Sequence, residues 1–95
     1  MQLLRDEEKN KILQQERGIS FEDIQIYIDN WDIVDIIDHY NQIKYPHQQL
    51  ILVNIKDYIY AIPCVIQSDW SFFLKTIYPS RDYTKLYLSK PQSWL

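Results

Sequence analysis

Apolar residues recur at helical intervals in the first third of the chain and predict the buried stripe of an amphipathic helix: Phe21, Ile24, Tyr27 and Ile28. Ser20 precedes this stripe and has the spacing of a capping box with Asp23. We therefore expect a helix that begins after Ser20 and ends near residue 30.

An earlier helix is predicted over residues 7–17. Asp6 can cap its first turn, where two glutamates also suit the positive end of the helix dipole. Arg17 falls in the last turn, and Gly18, the only glycine of the chain, suits the left-handed position just after a helix end. The two helices are expected to meet in a tight elbow at Gly18.

Residues 31–38 carry two patterns at once. Aspartates recur at every third position, which suits the polar face of a helix: Asp29, Asp32, Asp35 and Asp38. The apolar residues between them are β-branched, which favours a strand. We favour a strand over residues 33–38, followed by a polar loop over residues 39–49.

Three apolar runs predict strands over residues 50–55, 58–67 and 70–78. The links between them are too short for a crossover, so the strands should form antiparallel hairpins. Pro63 has no N–H to donate to a ladder, which conflicts with a place in the middle strand. This conflict indicates either an edge position or a bulge.

The C-terminal part predicts one more helix. Pro79 and Ser80 end the sheet, and Ser80 can cap a helix over residues 81–89 with three apolar or aromatic residues on one side: Tyr83, Leu86 and Tyr87. With a short opening strand at residues 2–5, the pattern predicts an α+β fold in a single domain over residues 1–95. Its parts are two N-terminal helices, an antiparallel three- to four-stranded sheet and a C-terminal helix.

The composition indicates whether the chain folds, where in the cell it acts and whether it binds a cofactor. Hydrophobic residues make up 46% of the chain and aromatic residues 15%, so a packed fold rather than a disordered chain is expected. A single cysteine, no secretion signal and no long apolar run predict a cytoplasmic protein without a membrane partner. The acidic and histidine positions match no metal-binding loop, so we expect neither a metal nor another cofactor.

The charge is unevenly distributed. Residues 1–69 carry six Lys and Arg against twelve Asp and Glu, whereas residues 70–95 carry four cations against Asp82 alone. The net charge of −3 argues against broad binding to nucleic acid, which depends on many phosphate contacts. It permits a small basic focus that contacts one or two phosphates. The acidic part suits docking of a basic partner equally well.

The basic focus lies in residues 70–87. Strand alternation places Ser71, Phe73, Lys75 and Ile77 on one face and Trp70, Phe72, Leu74 and Thr76 on the other. Lys75 between two apolar residues indicates a face that is open to a ligand, or a lysine that extends past a sheet edge into water.

Arg81 follows at the predicted helix start. A guanidinium beside free helix amides can hold an anion, and a surface ion pair is the alternative. Tyr83 and Tyr87 lie four residues apart, so they share a helix face. They serve either as core residues or as stacking and proton-donating groups.

Three segments of the chain, NKILQQERGISFED, YPHQ and FLKTIYPSRDYTKLY, together resemble the BrnT-like toxins of the RelE superfamily. The resemblance covers about residues 3–88 and is most specific at the elbow of residues 17–23. It is also carried by the Pro-Ser-Arg junction of residues 79–81. It implies a RelE-like fold and the toxin of a type II toxin–antitoxin system. Such a toxin is an endoribonuclease, free or ribosome-dependent, that a small DNA-binding antitoxin neutralises.

In this class the RNA 2′-hydroxyl attacks the neighbouring phosphate without a metal. Carried over residue by residue, the resemblance implies that Arg81 binds the scissile phosphate and that Lys75 adds positive charge beside it. Tyr83 and Tyr87 complete the implied catalytic group, as proton or stacking partners. Further RNA contacts are implied for Arg17, which is otherwise only a helix cap, and for two more residues: Lys85 and His47.

The acidic balance departs from the basic surfaces of several toxins of this class, since the isoelectric point is near 5.2. A non-catalytic protein-interaction module on the same scaffold is therefore the rival hypothesis. It predicts a stable complex with a partner chain and no cleavage of RNA, even with translating ribosomes present.

Overall fold

A computed structural model describes residues 2–88 of the chain. Its elements are, in chain order, β1 (Leu3–Arg5), α1 (Glu7–Arg17), α2 (Phe21–Asp29), β2 (Ile33–Asp38), β3 (Gln48–Ile55), β4 (Tyr58–Ile66), β5 (Phe72–Leu74), β6 (Tyr78–Pro79) and α3 (Arg81–Leu88). This arrangement confirms an α+β fold. The predicted end of the last helix, at residue 89, lies outside the described part of the chain.

The caps of the first two helices are those that the sequence predicts. Asp6 accepts hydrogen bonds from the backbone at the start of α1, and Gly18 adopts a left-handed φ of 67° just past its end. Ser20 and Asp23 form the reciprocal capping box that opens α2. Local side-chain chemistry therefore decides where α1 stops and α2 begins.

The strands form one mixed sheet in the order β1-β5-β4-β3-β2, and β6 also pairs with β4. All neighbours are antiparallel except β1, which lies parallel to β5. The prediction of a purely antiparallel sheet of three to four strands is wrong here. The two helices between β1 and the rest of the sheet provide the long connection that a parallel pair needs.

Helices cover both faces of the sheet. The first face packs its apolar side chains against α1 and α2, with Phe21, Ile24, Ile51, Val53, Ile62 and Leu74 among the most buried. The second face packs Leu50, Leu52, Ile59 and Ala61 against Tyr83, Tyr87 and Leu88 of α3. Leu86, predicted beside these tyrosines, instead points outward and is 70% exposed.

The predicted third strand is broken in two by residues 75–77. Pro63 lies opposite Leu50 of β3, and its carbonyl accepts from the Lys75 N–H at 2.8 Å. The N and C=O of one strand residue point the same way, so the Pro63 nitrogen, which carries no hydrogen, is directed at residues 75–77 between β5 and β6. No ladder hydrogen bond is required there. This geometry shows how a proline occupies a central strand: the neighbouring strand is irregular there.

Candidate functional site

The break in the third strand changes which face each side chain occupies. Leu74 and Ile77 both pack in the core against α1 and α2, although they are an odd number of residues apart. Lys75 follows Phe73 on the opposite, α3 face, with its Nζ 5.0 Å from the centre of the Phe73 ring. The prediction that Ile77 shares a face with Lys75 is therefore wrong, because regular alternation ends at residue 75.

Lys75 lies in a cleft of about 300 Å³, which we call the Lys75 cleft. Its lining residues come from the β2–β3 loop, β3, β4 and the broken strand: His39, Tyr40, Tyr45, Gln48, Pro63, Lys75, Thr76 and Tyr78. Tyr40 is 74% exposed, so its ring is available for contact with a ligand. The cleft combines one ammonium group with several aromatic rings, which suits an anionic ligand that also has flat rings.

His39 is the buried polar side chain of the Lys75 cleft. Its ring lies 4.5 Å from the ring of Tyr40 and 4.6 Å from that of Tyr45, measured between centres. Its Nδ1 accepts the Asn41 N–H at 3.0 Å, and burial lowers the pKa of its imidazole. The neutral ring then carries its proton on Nε2, so His39 can donate a hydrogen bond but is not placed as a base.

A second cleft of about 440 Å³ continues from the first, and we call it the Tyr83 cleft. It is lined by Tyr40, Tyr78, Ser80, Asp82 and Tyr83. Tyr40 and Tyr78 line both clefts, so the two form one aromatic surface beside the start of α3. A chain of linked rings and anions can extend across such a surface.

The phenols of the Tyr83 cleft are held protonated. Burial raises the pKa of Tyr78, and Tyr40 and Tyr83 nearby raise it further. Burial also raises the pKa of Tyr83, with Tyr40 and Asp82 contributing in the same direction. Both phenols are therefore hydrogen-bond donors at neutral pH rather than bases.

Arg81 stands at the first position of α3, as predicted. Ser80 caps this helix through its Oγ, which accepts the Tyr83 N–H at 3.1 Å. The Arg81 side chain is exposed and lines neither cleft, although its neighbours Ser80 and Asp82 line the second. Among residues 2–88, neither Arg81 nor Lys75 forms an ion pair.

The hydroxyl of Tyr87 forms a hydrogen bond within the protein. Its hydroxyl donates to Asp35 of β2 at 2.8 Å, and this hydrogen bond raises the pKa of the phenol. Its ring lies 6.4 Å from that of Tyr83, so the two share a helix face. The structure thus places Tyr83 in the Tyr83 cleft and Tyr87 outside it.

The three predicted RNA contacts are dispersed. Arg17 lies at the end of α1, where its Nη1 donates to the Ile77 carbonyl and its side chain lines a separate cleft of about 470 Å³ with Tyr60, Tyr78 and Pro79. Lys85 is an exposed residue of α3, and His47 is exposed in the turn before β3, with a φ of 66°. None of the three lines the Lys75 cleft or the Tyr83 cleft.

Four residues that the β2–β3 loop and β6 bring to Lys75 were not predicted from the sequence: His39, Tyr40, Tyr45 and Tyr78. The loop residues lie 30 to 36 positions before Lys75 in the chain, so periodicity around Lys75 gives no sign of them. The available signal was a histidine and two tyrosines grouped in one polar loop, where binding residues are often found.

Within residues 2–88, His, Cys, Asp and Glu side chains form no group of three or more that could hold a metal ion. No helix in this described range is long and apolar enough to cross a bilayer. Comparisons with protein-family models, curated proteins and solved structures gave no match.

Proposed function

We propose that the protein is a toxin-type, metal-independent endoribonuclease that binds single-stranded RNA across the Lys75 and Tyr83 clefts. The observation that carries this proposal is the position of Lys75, whose ammonium lies in a cleft walled by Tyr40, Tyr45 and Tyr78. A cation beside exposed aromatic rings is the usual way to bind a nucleotide chain, because rings stack on bases and the cation contacts phosphate.

The size of the aromatic surface supports a substrate longer than one nucleotide. The two clefts share Tyr40 and Tyr78, so one RNA strand can cross both clefts with a phosphate held by Lys75 in the first. Arg81 stands beside the Tyr83 cleft without an ion-pair partner among residues 2–88 and is placed for a flanking phosphate. Unpaired bases are required, since paired bases cannot reach such rings.

The residues of the Tyr83 cleft suit cleavage by the RNA itself. A 2′-oxygen attacks the adjacent phosphorus, its proton passes to the Asp82 carboxylate, and the bond to the 5′-oxygen breaks. Tyr83, a protonated phenol, donates the proton that the departing 5′-oxygen takes up. Lys75 offsets the charge on the phosphoryl oxygens, and the products are a 2′,3′-cyclic phosphate and a free 5′-hydroxyl.

A toxin of this kind acts in the cytoplasm and is held inactive by a small DNA-binding antitoxin. The resemblance of the sequence to BrnT-like toxins supports this placement in a toxin–antitoxin pair. A neighbouring gene for a short ribbon-helix-helix protein would support it independently.

The test is cleavage of an unstructured RNA in the presence of a chelator, with and without translating ribosomes. We expect a 2′,3′-cyclic phosphate product, and we expect Lys75→Ala to lower the cleavage rate about 100-fold because one charge that stabilises the transition state is lost. Lys11→Ala, an exposed lysine of α1, is the matched control and should leave the rate unchanged. A Lys75→Ala protein that cleaves at the original rate would contradict the assignment.

A non-catalytic interaction module is the second candidate, and one observation favours it. The Nδ1 of His39 already accepts a backbone N–H, and the pKa of Tyr78 is raised, so neither group is a base in the Lys75 cleft. This candidate predicts binding to RNA or to a partner protein with no cleavage under any of the conditions above.

A further inference from the structure

β2 forms one edge of the sheet, and its backbone is available for pairing. It follows β3 at the end of the strand order, and no described strand pairs with its other side. His39 donates its N–H to Gln48 of β3, so the alternation of an antiparallel ladder points the backbone groups of Ile36 and Asp38 away from the sheet. A free edge of this kind accepts an additional strand.

Large apolar side chains accompany this edge. Trp31, just before β2, is 84% exposed, and Val34 and Ile36 within it are each 36% exposed. The pairing of β2 with β3 shifts register between Ile33 and Asp35, which leaves Val34 as a bulge. The edge therefore offers both backbone groups and apolar contacts to an incoming segment.

The segment of the chain that contains β2 carries charge of one sign. Residues 18–43 carry six acidic residues and no Lys or Arg, although the whole chain has a net charge of only −3. Asp32, Asp35 and Asp38 lie along or beside β2, and none of them forms an ion pair within residues 2–88. Their charge is left to be matched by another molecule.

We propose that β2 binds an extended, basic segment of a partner protein, which pairs with it as an added strand. The free edge supplies the hydrogen bonds, the exposed apolar side chains supply contact area, and the aspartates select positive charge. A second copy of the chain is disfavoured because pairing β2 with β2 would bring the aspartates of both copies together. RNA is repelled by the same charges.

Asp35 controls access to this edge. Its Oδ1 accepts the outward N–H of Ile36 at 2.8 Å, while its Oδ2 accepts the Tyr87 hydroxyl at 2.8 Å. The carboxylate thus occupies the position that a carbonyl of an added strand would take. An incoming strand displaces Asp35 from Ile36, and a lysine or arginine on that strand can pair with the displaced carboxylate.

This docking site is independent of the proposed ribonuclease activity. β2 lies outside the residues that line the Lys75 and Tyr83 clefts, and within residues 2–88 Ile36 and Asp38 do not contact α3 through a hydrogen bond, so substitutions of these two residues should leave RNA cleavage unchanged. A protein that does not cleave RNA can therefore still bind the peptide at β2, and a protein that does not bind the peptide can still cleave RNA.

The test uses fluorescent peptides of about ten residues, close to the length of one strand, that alternate valine with lysine or valine with glutamate. We expect the lysine peptide to bind at least about tenfold more tightly and to lose affinity with added salt. Hydrogen exchange should show new protection at the amides of Ile36 and Asp38. Equal affinity for both peptides, or protection elsewhere, overturns the proposal.

Two variants separate strand pairing from simple charge attraction. Ile36→Pro removes an outward N–H without removing a bond to β3, and it should lower affinity at least about tenfold, more than Ile36→Ala does. Asp38→Lys should weaken binding of the lysine peptide, whereas Glu16→Lys, the same charge change on exposed α1, should not. Identical effects of the proline and alanine variants, or of the two lysine variants, would also overturn it.

Discussion

The hydroxyl of Tyr87 donates a hydrogen bond of 2.8 Å to the carboxylate of Asp35 and so joins α3 to the edge strand β2. No residue of α3 is fully buried, so the helix depends on a few specific contacts with the sheet. Another of these is the Thr84 hydroxyl, which accepts the Ile59 N–H at 2.8 Å. The contact between Tyr87 and Asp35 also links the two proposed surfaces, since α3 borders the Tyr83 cleft and Asp35 protects the free edge.

Tyr87→Phe should lower the free energy of unfolding by about 1 kcal/mol, because the variant loses one hydrogen bond to a charged group while keeping its ring in place. Urea denaturation measures this change. Tyr58→Phe is the control, since no hydrogen bond of the Tyr58 hydroxyl is found among residues 2–88. Equal stability of Tyr87→Phe and the original protein would show that the bond contributes nothing in solution.

The same contact makes stability depend on alkaline pH. The hydrogen bond to Asp35 raises the folded-state pKa of Tyr87 above the ordinary value of about 10, so the folded state holds this proton more tightly than the unfolded state. Its contribution to stability is complete below that ordinary value and is lost as pH rises through the raised one. Tyr87→Phe should therefore lose less stability than the original protein above pH of about 10. Parallel curves would contradict this linkage.

Asn10 joins α1 to the start of α2 and is buried. Its Oδ1 accepts the Phe21 N–H at 2.6 Å, and its Nδ2 lies 3.1 and 3.0 Å from the two carboxylate oxygens of Glu22. Asn10→Ala should cost about 1–3 kcal/mol in unfolding free energy, because the buried N–H of Phe21 loses its partner. Gln14→Ala on exposed α1 is the control, and comparable losses in the two variants would contradict this role.

The sequence predicted those parts of the fold that local chemistry decides. The capping residues Asp6, Gly18 and Ser20 place the helix ends, and the two-residue turn between β3 and β4 has left-handed φ angles of 52° and 65° at Lys56 and Asp57. These signals act within a few residues, so they can be recognised without knowledge of the tertiary structure. The strand at residues 33–38 is likewise confirmed.

Long-range pairing decided what the sequence analysis missed. β1 lies parallel to β5, about seventy residues later, and no local pattern specifies such a partner. Pro63 of β4 indicated an irregularity in the sheet. Only the structure shows that this irregularity lies in the neighbouring strand, where side-chain alternation fails between Leu74 and Ile77. For the same reason Lys75 was identified as a candidate while the tyrosines around it were not.

Tyr40 is the aromatic residue whose substitution should best separate stacking from folding. Its ring is exposed and lines both clefts, so Tyr40→Ala should weaken binding of a single-stranded RNA about tenfold, as loss of one stacked base does. Tyr40→Phe keeps the ring and should bind normally. Trp70→Ala removes another exposed ring outside the clefts and is the control in a fluorescence-anisotropy titration. Equal affinities of the two alanine variants would contradict the stacking role.

Arg17 tests whether a predicted RNA contact is instead a structural residue. Its guanidinium donates to the carbonyl of buried Ile77, in the break between β5 and β6 where no ladder partner is available. Arg17→Ala should therefore lower the unfolding free energy by about 1 kcal/mol through loss of this partner, and Arg17→Lys should restore part of it. Lys11→Ala, which removes a charge from the same helix, should not change stability.

Two measurements on Arg17→Ala separate the alternatives that the sequence left open. A structural role predicts reduced stability with RNA affinity unchanged at temperatures where the variant is fully folded. A phosphate contact predicts the reverse, with unchanged stability and a smaller dependence of RNA binding on salt, since one fewer phosphate is neutralised. Because Arg17 lies outside both clefts and is already bonded to Ile77, we expect the structural result. Weaker RNA binding without a loss of stability would extend the RNA surface to the α1 side of the sheet.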